Sequence, residues 1–392
     1  MQGFLKFLKT ACIVLLCILI LLAVCVLPSF WETPPPQDTD QPHESGSESD
    51  SESDSESEPE TEPPKEYVTT DGEALSIVDV SKVKYSYSEM VDDLEALEEK
   101  YGDKMSYTSI GKSHDGRNIY AVTLGNPDAE KQIVISAGIH AREYLTPMLV
   151  MKQLEFYLYN YDGAAYGDTP FSELFEEFSF RILPMCNPDG ITLAQFGIDA
   201  IISEELRETI RSIYSSDKSR GYTDDSLSDY LHYWKANAKG VDLNRNFDTP
   251  DWEKVNYVSS PSYINYKGTS PLSEPETKAL SEYVSSLSSP VLSLAIHSQG
   301  EVLYFDCGQD SIHPSLALAK VVRECNGYKV IYDTRRDAAF DDWSIIRKGI
   351  PSVTVETGNY DVKSPIPLSQ FDSIWRANRD LWVHVAASYA DK

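Results

Sequence analysis

Residues 138–147 read GIHAREYLTP, and they set His140, Arg142 and Glu143 within four positions, just after the apolar run QIVISA. A histidine and a glutamate three apart in a turn can point at one ion. A second histidine from another strand completes the three-ligand set of a catalytic zinc, which leaves a fourth position for water. His297, in LAIHSQG, and Glu356, in SVTVETG, also stand at the ends of apolar runs. Each residue has a plainer reading by itself. The first group suits a salt-bridged turn, His297 a satisfied core histidine, and Glu356 a carboxylate capping the turn after a strand. Three such residues at three run ends favour a shared site.

Those runs belong to a regular pattern. From about residue 85 onward, IYAVTLG, KQIVISAGIH, FSFRILPMC, VLSLAIHS and PSVTVETG are short β-rich runs, several bounded by Gly or Pro. Between them YSEMVDDLEALEEKYG, TPMLVMKQLEFYLYN and SEPETKALSEYVSSL carry helical stretches. Strands alternating with helices predict an α/β fold: a mixed, largely parallel twisted sheet with helices on both faces. Sites in such sheets gather beyond the carboxyl ends of the strands, where His140, His297 and Glu356 fall.

The residues around them appear in a characteristic order: HARE at 140–143, NPDG at 187–190, GVDLNRNF at 240–247, SEPET at 273–277, HS at 297–298 and ETG at 356–358. In this the chain resembles the zinc carboxypeptidases, the carboxypeptidase A/B-like metallopeptidases, over about residues 85–390. The resemblance implies one zinc per chain, held by His140, Glu143 and His297. It implies Glu356 as the base that takes a proton from the attacking water and later passes it to the leaving amine. Asn244 and Arg245 match the pair that grips the substrate's terminal carboxylate, a bidentate task that suits a planar guanidinium. Arg142 matches a residue of a neighbouring substrate pocket, with a structural salt bridge as its rival.

Two positions depart from the family pattern. Many relatives carry an arginine where WKANAKGVDLNRN has Lys235, so the charge that steadies the oxyanion is kept without the fork. A merely solvated lysine is the alternative. Many relatives also carry a tyrosine that closes over the substrate; here that place falls near Thr334, with Tyr332 close by. Just before the DW of AAFDDW stands Asp341, at the position that resembles the floor of the side-chain pocket. A buried carboxylate there favours a basic C-terminal residue or the amine of a diamino acid, unless Arg335 or Arg336 neutralises it. WKAN followed by GVDLNR also resembles the bacterial branch that cuts peptidoglycan stem peptides next to diamino acids. No G-x-S-x-G stands after a strand, against a serine hydrolase. A non-catalytic binding protein on this fold would be expected to lose a ligand or the base.

Composition bounds the rest. The chain has 392 residues and a formal net charge of −28, which argues against nucleic acid as a partner. Residues 32–66 hold thirteen acidic residues, one lysine and no aliphatic or aromatic side chain. That composition predicts a disordered, self-repelling linker, with calcium binding or phosphorylation as lesser alternatives. Ahead of it, Lys6 and Lys9 precede an uncharged apolar stretch over residues 10–31, long enough to cross about 30 Å of hydrocarbon as a helix. An uncleaved anchor, a cleaved signal and a lipoprotein signal ending at Cys25 are the three readings. Basic residues before the stretch and acidic ones after it place the remainder outside the cytoplasm, or in the medium after cleavage. The expected organisation is thus 1–31 anchor or signal, 32–66 linker and 67–392 catalytic domain, a monomer, with no room for an inhibitory pro-domain. Outside the apolar stretch stand Cys186, Cys307 and Cys325, an odd trio that is no disulfide framework. A Cys307–Cys325 bridge and buried free thiols are both open.

Overall fold

The computed structural model describes residues 75–305, 314–332, 336–360 and 364–390. The segments read as anchor and linker, along with Cys307, Thr334 and Arg335, lie outside the described residues. No helix among the described residues is long and apolar enough to cross a membrane.

Eight strands form the main sheet: β1 (Met105–Lys112), β2 (Asn118–Leu124), β3 (Lys131–Ala137), β4 (Phe178–Leu183), β5 (Pro290–His297), β6 (Val302–Tyr304), β7 (Lys329–Ile331) and β8 (Ser352–Glu356). They lie in the order β1-β2-β4-β3-β5-β8-β6-β7. The central four, β4-β3-β5-β8, are parallel. Antiparallel pairings flank them, β1 with β2, β2 with β4 and β6 with β8. The expected mixed, largely parallel sheet is therefore present, with the parallel character concentrated at its centre.

Central strands covered on both sides explain the continuous apolar runs. In β3 the side chains of Ile133 and Ile135 join one core with Leu292, Leu294 and Ile296 of β5 and Val353 and Val355 of β8. The helices Tyr87–Tyr101, Leu145–Tyr159 and Leu381–Tyr389 cover that face. On the other face Val134 of β3 and Ala295 of β5 meet Leu280 and Val284 of the helix Pro275–Ser286 and Phe340 and Trp343 of the helix Phe340–Lys348. The helix Tyr87–Tyr101 starts at a Ser86/Glu89 capping box and buries Met90, Leu94 and Leu97, one helical stripe.

Because side chains alternate along a strand, His297 shares the face of Ala295, and Glu356 that of Thr354. Both therefore stand at the carboxyl ends of their strands on the side covered by the helices Pro275–Ser286 and Phe340–Lys348. Parallel pairing sets Glu356 directly beside His297. The switch in strand order between β3 and β5 lies at the same edge, which is where such sheets open a crevice. Cys186 is a buried free thiol and Cys325 a half-buried one.

Candidate metal centre and active site

His140 does not lie on a strand. β3 ends at Ala137, and Gly138, at φ 64°, turns the chain so that the next residues cross the strand end. Asn187 of NPDG clamps this turn: its side-chain amide donates to the carbonyls of Ile139 and Ala236 at 3.1 Å each. Thr146 completes it, donating from Oγ1 to the Glu143 carbonyl at 2.9 Å and accepting from Gly138 N–H at 3.1 Å.

Within this frame His140 Nδ1 lies 2.8 Å from Glu143 Oε1, His297 Nδ1 lies 3.1 Å from Glu143 Oε2, and the two Nδ1 atoms are 3.1 Å apart. All three side chains are buried. A tetrahedral zinc with bonds of about 2.0–2.1 Å sets neighbouring ligand atoms about 3.3 Å apart, close to these edges. On the far side of the His140 ring, Nε2 stands 3.4 Å from Asp242 Oδ1, the carboxylate–histidine arrangement that orients a metal ligand. Burial works to raise both carboxyls, yet His140 and His297 hold Glu143, and Lys235 and His140 hold Asp242, well below the usual carboxylate range. Burial also works to lower the His140 pKa, and Glu143 and Asp242 more than offset it. Two ionised carboxylates, two imidazoles and a tight triangle of donor atoms fit a divalent zinc.

Lys235 is fully buried, which removes the solvated alternative, and its charge acts on both His140 and Asp242. Its backbone bridges two loops: the carbonyl accepts from Ala141 N–H at 3.0 Å, and its N–H donates to Tyr263. Asn244 and Arg245 follow Asp242 in a short 3₁₀ turn that Asp242 caps. Asn244 Oδ1 accepts from Phe340 N–H at 3.0 Å, which ties the turn to the helix that carries Asp341. Asp341 is buried and accepts from Thr354 Oγ1 at 2.9 Å. Since Thr354 and Glu356 share a face of β8, Asp341 lies on the same side of the sheet as Glu356. Arg336 reaches Asp251 at 3.3 Å. Arg142 is buried within the His140 turn.

Three nearby residues are not among the candidate site residues read from the sequence. Asp242 is one. The others are Asp337, whose Oδ2 is 3.5 Å from Arg245 Nη2, and Tyr257, which donates to Asp337 Oδ1 at 2.5 Å and sets its ring 5.7 Å from the Arg245 guanidinium. Tyr332, by contrast, is 72% exposed and packs edge-on against Phe305. The aspartate inside GVDLNR is the signal that finds Asp242: a short-loop carboxylate two residues before Asn244.

Such a centre at the carboxyl edge of a parallel sheet, with a glutamate on the neighbouring strand, defines a metal-dependent hydrolase. Residues 90–380 match the family model of the zinc carboxypeptidases, and the chain belongs to that family. It is an enzyme, a zinc metallopeptidase, and zinc is its cofactor. Among its relatives, the Bacillus subtilis (strain 168) protein YqgT is 31% identical over 71% of each chain. Gamma-D-glutamyl-L-diamino acid endopeptidase 1 of Lysinibacillus sphaericus is 30% identical over 74% of this chain and 69% of that one. The crystal structure of thrombin activatable fibrinolysis inhibitor shares the fold, with a TM-score of 0.61 and 21% identity over 81% of this chain and 79% of that one.

Proposed function

We propose that the enzyme removes C-terminal residues from peptides outside the cytoplasm, with His140, Glu143 and His297 as the zinc ligands and Glu356 as the base. The observation that carries this is the placement of Glu356 beside His297, in register across β5 and β8, with His297 part of the ligand triangle. Bound zinc supplies Lewis acidity and brings the pKa of water towards about 7. Glu356 takes the proton of the attacking water and returns it to the leaving amine. Lys235, buried beside the ligand set, gives a positive charge where the scissile carbonyl becomes anionic. Asn244 and Arg245 receive the terminal carboxylate, and Arg142 lines the next substrate position. Asp341 forms the floor of the side-chain pocket and selects a cationic group. The catalytic domain occupies residues 67–392, on an acidic tether of residues 32–66. Residues 10–31 anchor it as a single-pass protein, or are cleaved to release it as a monomer.

A second reading has its own support. A relative of 30% identity bears the name of a gamma-D-glutamyl-L-diamino acid endopeptidase, and a carboxylate at the pocket floor suits the side-chain amine of a diamino acid as well as a lysine. On that reading the substrate is a peptidoglycan stem peptide. One experiment separates the two: amino-acid release from peptides ending in Lys or Phe, set against release from purified muropeptides, for the wild type and Asp341→Ala. Preferred cleavage of Lys-ending peptides, lost in Asp341→Ala, supports the first reading. Cleavage confined to muropeptides supports the second. A wild-type preference for Phe overturns the role of Asp341.

A further inference from the structure

A second group of metal-ligating side chains converges outside the zinc-ligand set. His114 lies in the turn between β1 and β2, while Glu274 and Glu276 flank Pro275 at the start of the helix Pro275–Ser286. One ligand atom from each of the three lies within 4.8 Å of the others. His114 Nε2 is 2.9 Å from Glu274 Oε2. Asn237 Nδ2 donates to the same oxygen at 2.8 Å and to Glu276 Oε2 at 3.2 Å. Glu276 Oε1 finds no hydrogen-bond partner in another residue among the described ones, although the residue is fully buried.

A buried carboxylate oxygen with no donor from another residue is unfavourable and calls for an explanation. The neighbouring arginine and lysine side chains do not supply one. Arg117 Nη1 lies 2.8 Å from Asp189, a further carboxylate that acts on Glu276, so that charge is already matched. Lys239 is the cation that acts on His114, and it reaches towards Glu205 at 3.7 Å. Burial pushes the Glu276 carboxyl up to about 7, although His114 works against it. The helix start favours negative charge, but two carboxylates share it.

We propose that His114, Glu274 and Glu276 form a second divalent-cation site. One imidazole with two carboxylates suits a transition ion of the Mn²⁺ or Zn²⁺ class better than Mg²⁺ or Ca²⁺, which prefer oxygen throughout. The His114 side chain is 24% exposed, so the site opens to solvent on that side and leaves positions for water. Its effect is to brace a loop. Asn237, which touches both carboxylates, also accepts from the N–H groups of Lys239 and Val241 at 3.0 Å each. An ion here therefore stiffens the segment that runs from Lys235 to Asp242.

The test loads the full-length chain with one equivalent of zinc and titrates it with Mn²⁺, which binds N/O sites more weakly than zinc and leaves the first centre filled. Free Mn²⁺ is followed by electron paramagnetic resonance, with zinc content and Tm measured on the same samples. The wild type takes up about one Mn²⁺ and gains in Tm, while His114→Ala and Glu276→Gln bind it at least about tenfold more weakly and keep their zinc. Weak binding along acidic residues 32–66 is common to all three proteins and cancels in the comparison. Wild-type uptake no stronger than that of His114→Ala overturns the proposal, as does strong uptake that survives both substitutions. His114 reaches the surface, so its variant decides the matter if Glu276→Gln does not fold.

Discussion

With His140, Glu143 and His297 as the proposed ligands, removing the His297 imidazole leaves two side chains for the ion, and a catalytic zinc site ordinarily needs three. His297→Ala is therefore expected to drop from about one equivalent of zinc to a small fraction after dialysis, read by elemental analysis. Unchanged content contradicts the ligand assignment. Asp242 acts one step further out, through the 3.4 Å contact with His140 Nε2. Asp242→Asn keeps the shape but loses the charge, so zinc should bind about 10–100-fold more weakly. An unaltered affinity shows that the carboxylate does not orient the ring. His140, His297 and Glu356 stand out in the sequence at the ends of apolar runs, and the structure brings the two histidines to Glu143 and sets Glu356 beside His297. Asp337 and Tyr257 do not stand out, because they meet through loops and lie 80 residues apart.

The elements that carry these residues were read unevenly, for physical reasons. Strands β3, β5 and β8 are buried over most of their length and read as short, apolar-rich runs. β1, MSYTSIGK, is half exposed and largely polar, while β6 and β7 are only three residues long, so neither pattern stands out. The helix Glu204–Ser219 was legible in principle, with Ser203 as its cap and Leu206, Ile210 and Ile213 on one stripe. The decisive element is the turn after β3. An added Cβ at Gly138 would lie 2.7 Å from Pro147 Cγ and 2.8 Å from Ile191 Cδ1, at a positive φ. Gly138→Ala should destabilise the chain by about 2–4 kcal/mol, from left-handed strain together with overpacking. Gly116 is also at positive φ but has open space around it, so Gly116→Ala should cost only about 1–2 kcal/mol. Equal losses of Tm in the two variants would show that packing against Pro147 and Ile191 does not shape the turn.

At the scale of the whole molecule, the proposed architecture is a catalytic domain on an extended acidic tether. With residues 10–31 uncleaved, activity should sediment with the membrane fraction, and limited proteolysis within residues 32–66 should release it in soluble form. Mature protein in the medium beginning after Cys25 would replace the anchor with a cleaved signal. The proposed chemistry rests on one carboxylate, Glu356, set beside His297. The most direct measurement of that claim is kcat for C-terminal residue release by the wild type and Glu356→Gln at matched zinc content. The account predicts about one zinc in both, an unchanged Tm, and a kcat lower by about 10²–10⁴-fold in the variant. A Glu356→Gln enzyme with full zinc and near-normal kcat would contradict it.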